Sequence, residues 1–132
     1  MSGAADSSYP ADWLEVARRD WGRVRLLLSA GDAELAAYLL EQCLEKYLKA
    51  YLLERGWQLR RTHLLSKLLD EAAPFDPSLD THRALCDRVS GYFLVGRYPL
   101  LGVAKLDLEP VAGDATEARG LIRPLYPGEE VG

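Results

Sequence analysis

From Asp32 to Arg55 the chain runs 24 positions without a glycine or a proline, and Gly56 then ends the run. Within it Leu35, Ala36, Leu39, Leu40, Cys43, Leu44, Tyr47, Leu48, Tyr51 and Leu52 recur at helical spacing. That stripe is wider than a helix with one buried face requires. Asp32 is suited to cap the start, and Gly56 to stop the end. The pattern predicts one uninterrupted helix over 33–55, covered on most sides by others.

The flanking segments supply the covering helices. Residues 1–9 read as a flexible polar tail. Asp12, with Glu15 three positions on, reads as a helix start. Trp13, Ala17, Trp21, Val24 and Leu28 then keep helical spacing up to Gly31. After a short loop ending in Arg60-Arg61, Thr62 is placed to cap a third helix carrying Leu64, Leu65, Leu68, Leu69 and Ala72, which Pro74 ends. Pro74 to Ser78 reads as a turn. A fourth helix carries His82, Leu85, Cys86, Val89, Tyr92 and Phe93, and breaks near Arg97-Tyr98-Pro99 because a proline disfavours helix in the residue before it. Residues 100–112 fit either a short extended piece or an apolar loop. Asp114 and Glu117 are read as the cap of a last helix through Ile122, stopped by Pro124 and Pro127. The expected fold is all-α, an antiparallel up-and-down bundle of four to five helices spanning 11–126, with 127–132 as a tail.

Composition narrows the function classes. The chain has 132 residues, enough for one domain with one core, and no apolar run of the ~20 residues that span a bilayer. The start has neither a basic nor an apolar leader segment, so the expected location is the cytoplasm, with no membrane partner. Cys43 and Cys86 fall on apolar stripes and read as buried thiols. A net charge of −4 argues against indiscriminate binding to phosphate backbones, so RNA is the less favoured ligand. There is no glycine-rich phosphate loop, no His-Glu-x-x-His and no paired-cysteine metal spacing, so no metal and no cofactor are expected.

The chemistry that remains is cationic. Gln42, Lys46 and Lys49 fall at i, i+4 and i+7, on one helix face, with Glu45 and Lys49 at pairing distance. The plain reading is a solvated, salt-bridged face; the sharper one is a face that meets phosphate. Arg18, Arg19, Arg23 and Arg25 cluster on the first helix, either to meet RNA or to keep it soluble. His63 follows the Arg60-Arg61 pair, and His82 reads as a histidine at the core edge.

Taken together, Gln42-x-x-Glu45-Lys46-x-x-Lys49-Ala50, Thr62-His63-x-Leu65 and Arg97-Tyr98-Pro99 resemble the HEPN domain, in the order and spacing of that family. The resemblance implies a helical bundle that dimerises and binds a nucleotide, often beside a minimal nucleotidyltransferase, sometimes as a toxin–antitoxin pair. It points to Lys46, Lys49, His63, Arg97 and Tyr98 as the nucleotide site. Lysines and arginine would meet phosphate, and Tyr98 would stack on a base. Nuclease members carry an Arg, four to six residues and a His. Here Gly56, Trp57 and Gln58 stand where His63 would need that Arg, and Phe75, Asp76 and Pro77 where His82 would. No catalytic residues are therefore assigned. The rivals are a ribonuclease using His63 with Arg60 or Arg61, and a purely structural dimerisation partner.

Overall fold

The computed structural model describes residues 7–62, 64–93 and 106–131. Among them the structure is helical, with no strand: α1 (Pro10–Ser29), α2 (Ala33–Leu53), α3 (Leu65–Ala72), a 3-10 segment (Pro77–His82), α4 (Arg83–Ser90) and α5 (Leu108–Leu125). The break expected near Arg97, the tail before Ser7 and the first part of 100–112 lie outside the described residues.

Helix α2 forms as its sequence dictates. The Asp32 carboxylate accepts the Leu35 N–H at 3.1 Å, which satisfies one of the donors a helix start leaves open. At the other end Gly56 takes φ +85°, and Trp57 N–H returns to the Leu52 carbonyl. A left-handed residue of this kind is where glycine costs least. Leu40, Leu44, Tyr47, Leu48 and Leu52 are all buried. Leu35, included in the predicted stripe, is instead 43% exposed.

The neighbours pack in alternating directions. Helix α1 runs antiparallel to α2: Trp13 lies beside Lys49, and the Ala17 carbonyl accepts the Cys43 thiol. Helices α3 and α4 form a second antiparallel pair, joined by Asp70 to Arg83 and by Leu65 N–H to the Ser90 hydroxyl. Helix α5 runs alongside α2 in the same direction. Its Val111 packs on Ala33, Ala36 and Ala37, while Tyr126 just past its end meets Tyr47 and Glu54. The segment after α5 then straps back over α1 and α2. Arg18 holds the Glu129 carboxylate through two donors at 2.7 and 3.0 Å, the Tyr47 hydroxyl donates to it at 2.9 Å, and Val131 is buried.

Five boundaries differ from expectation. Helix α1 starts at Pro10, capped by Tyr9 backbone, and Asp12 is already in its first turn, accepting from the Ser7 hydroxyl. A proline in the first turn lacks only a donor the helix leaves unused there. Thr62 does not cap α3; Leu64 does, through backbone alone, and is 48% exposed. The turn after Pro74 continues into the 3-10 segment, capped by Asp76. Helix α5 starts at Leu108, so Asp114 is no cap but a buried mid-helix residue held by Arg88 and Tyr92. Pro124 sits within its last turn rather than ending it earlier.

Leu44 is fully buried at the centre of α2. Replacing it by alanine should lower stability by about 2–5 kcal/mol, through lost transfer energy and the cavity left behind. Thermal and denaturant melts check this, and an unchanged midpoint would show that the helix is not the core.

Candidate functional site

The predicted cationic face of α2 turns toward α1. The Lys46 ammonium contacts Asp20 at 3.0 Å and the Gln42 carbonyl at 3.1 Å. Lys49 contacts Glu45 at 2.9 Å and lies 5.1 Å from the centre of the Trp13 ring. The side chains of Lys49 and Glu45 are 4% and 5% exposed, so this is no solvated face. A charge taken from water needs a partner and further donors or acceptors, and both lysines have them inside the protein. To reach a phosphate, Lys46 would exchange Asp20, and Lys49 would exchange Glu45. His63, Arg97 and Tyr98 lie outside the described residues, so what the structure brings together of the predicted set is Lys46 and Lys49, one turn apart.

A residue that sequence reasoning missed sits on the same helix. Glu41 is fully buried, and its carboxylate accepts the Gln42 amide at 2.7 Å. Burial, then the charge of Glu45, push its carboxyl up to about 8, against the Gln42 hydrogen bond and the Lys46 charge. It is therefore mostly protonated at neutral pH. No pattern could have flagged it, because a glutamate between apolar positions looks like one facing solvent. The thiols are inert by the same physics: burial raises Cys43 well above its ordinary value and pushes Cys86 up to about 12.

His82 is half-buried before α4, with its ring 3.3 Å from where a Cβ on Gly120 would stand. Burial lowers its pKa, and Glu117 opposes this only partly. The ring lies against α5 at the core edge, as its position predicted. The α1 arginines are largely committed: Arg18 to Glu129, Arg19 to Glu15, and Arg23 to Asp20.

The clearest cavity, about 360 Å³, opens where the loop after α2 meets α3. Trp57, Arg60, Arg61 and Thr62 form one wall; Lys67, Leu68, Asp70 and Glu71 of α3 form the other. Arg60 lies with its guanidinium 5.8 Å from the Trp57 ring centre and paired with Glu71 at 3.0 Å, its side chain 63% exposed. Asp70 is paired with Arg83 at 2.6 Å. The Trp57 indole Nε1 is buried and has no hydrogen-bond partner. The cleft thus holds three cations and two carboxylates, with Glu71 paired to Arg60 and Asp70 to Arg83. Among the described residues no group of His, Cys, Asp and Glu is arranged to hold a metal.

The described residues thus form an all-helical bundle with a cleft lined by Trp57, three cations and two carboxylates. The family model for the HEPN domain matches residues 10–123, and the chain belongs to that family. Membership places it among nucleotide- and RNA-interacting modules. No curated protein and no solved structure matches the chain significantly. No helix among the described residues is long and apolar enough to cross a membrane.

The Glu41 setting gives a pH dependence with a definite sign. In the unfolded chain this carboxyl ionises in the ordinary range, whereas folded it keeps its proton up to about 8. The folded state therefore binds more protons in between, and its stability is fully present below that range and lost as pH rises through about 8. Unfolding free energy should fall by on the order of 1–2 kcal/mol between about pH 6 and about pH 9, and Glu41→Gln should flatten the slope. Denaturant titrations at several pH values measure it; an equal slope in both proteins would remove Glu41 as the cause.

Proposed function

We propose that this chain is a HEPN-type nucleotide-binding and interaction module, a partner of a minimal nucleotidyltransferase, without nuclease activity. The observation that carries the reading is the family match over residues 10–123. The bundle supports it by gathering cations at the loop that leads directly into His63. In this reading His63, Arg97 and Tyr98 hold the nucleotide, and Lys46 and Lys49 join only by giving up Asp20 and Glu45. The lack of nuclease activity is supported by the missing Arg before each histidine and by the packing of the His82 ring against Gly120 of α5. General acid–base cleavage needs a titrating group beside the scissile phosphate, and His82 is packed against α5 instead.

Calorimetry or NMR shift mapping with ATP and GTP tests binding. Millimolar nucleotide should perturb residues around the loop after α2. Arg97→Ala should weaken binding, and added salt should weaken it further. No perturbation by either nucleotide would leave a protein-binding module. In parallel, metal-free incubation with single-stranded RNA should give no cleavage. Cleavage abolished by changing His63 would establish the ribonuclease reading, for which Arg60 and Arg61 stand just upstream.

The module is further proposed to act as a homodimer through helical faces. Leu26 and Leu35, at the α1–α2 turn, are 68% and 43% exposed, apolar surface that a second copy would cover. Sedimentation or light scattering at micromolar concentration should report about twice the 14.7 kDa chain mass. A clean monomer across that range would contradict it.

A further inference from the structure

We infer that the cleft between the α2–α3 loop and α3 is a mononucleotide site, sized and charged for one phosphate and one base. The inference rests on the nucleotide-binding reading above and assigns it a place that the sequence pattern did not, apart from the α2 lysines. The cavity of about 360 Å³ lies at the small end of ligand pockets, near the bulk of a nucleoside monophosphate and short of an oligonucleotide.

Its walls divide the labour. Lys67 is exposed at the rim, and Arg61 stands beside it on the facing loop. Both are placed to meet a phosphate entering from solvent. Arg60 already lies beside the Trp57 ring and Glu71, and its side chain, 63% exposed, is free to turn toward a phosphate. The buried Trp57 Nε1–H has no acceptor in the protein, and an acceptor on a bound base or ribose would satisfy it. The Asp70 and Glu71 carboxylates keep spare acceptor capacity beyond Arg83 and Arg60 and suit the amino donors of a base. The same two carboxylates set the limit on charge. One phosphate is neutralised by the cleft cations, whereas further phosphates would be repelled by the Asp70 and Glu71 carboxylates in the lining.

Calorimetry at low salt, with AMP, ATP, inorganic phosphate and a short oligoadenylate as probes, tests this on the full chain. The proteins are the unaltered chain, Trp57→Phe, Lys67→Gln and Arg97→Ala, each checked for retained helix by circular dichroism. Trp57→Phe keeps a ring and removes the donor, and its melting point serves as the control for folding. AMP should bind at least as tightly as ATP and well above inorganic phosphate. Trp57→Phe and Lys67→Gln should each weaken AMP several-fold to about tenfold, the loss of one hydrogen bond or one charged contact. If a nucleotide binds and only Arg97→Ala weakens it, the nucleotide-binding reading stands and the cleft is not its site. If oligoadenylate or ATP binds far more tightly than AMP and the cleft variants abolish it, the limit to one phosphate is overturned. If no nucleotide binds the unaltered chain, this inference and the reading beneath it both fall.

Discussion

A helix that is covered on almost every side must settle its own charges, and that requirement shapes this bundle. Helix α2 carries Glu41, Glu45, Lys46 and Lys49 among its apolar residues, and three of the four are buried. Their partners come from the same helix and from α1: Glu45 takes Lys49, and Asp20 takes Lys46. Glu41, with no cation of its own, keeps a proton instead. Removing one partner of such a pair strands the other in a medium that cannot solvate it, at a cost of about 3–5 kcal/mol. The pairing thus fixes how α1 sits on α2, since a shift along α1 would separate Asp20 from Lys46. Hydrophobic burial alone would tolerate such a shift more readily.

This arrangement also divides the molecule by function. Charges on the α1–α2 seam are spent within the fold. The cations that face solvent beside an aromatic ring lie at the other end of α2, where Gly56 turns the chain out of the helix and toward α3. A loop positioned by two rigid helices is a common place for recognition, because the scaffold supplies precision and the loop supplies exposed groups.

Most of the fold was legible in the sequence, and the failures have physical causes. Helix α2 was readable because its cap, its stop and its stripe agree. Helix α5 was placed too late because Asp114 with Glu117 three positions on reads as a cap, while the packing of Val111 and the bond from Arg88 put Asp114 inside the helix. Acidic Asp114 has the side chain of a cap and the burial of a core residue, which one sequence cannot distinguish. The α2 lysines show the same ambiguity: i, i+4 and i+7 spacing says that residues share a face, not whether that face meets water or another helix. The cleft was half visible, as Arg60 and Arg61 beside His63. Its other wall required knowing that α3 folds back beside the loop.

The strap after α5 has a consequence for how the molecule is made. Glu129 closes on Arg18, 111 positions earlier, and on Tyr47, 82 positions earlier. A chain emerging from the ribosome can pair α1 with α2 from local contacts long before Glu129 exists. Until then Arg18 and the Tyr47 hydroxyl have no carboxylate to hold, and the surface that Val131 covers stays open to solvent. The segment after α5 thus ties α1 and α2 to α5, and the contacts at Arg18 and Tyr47 form only once it has been made.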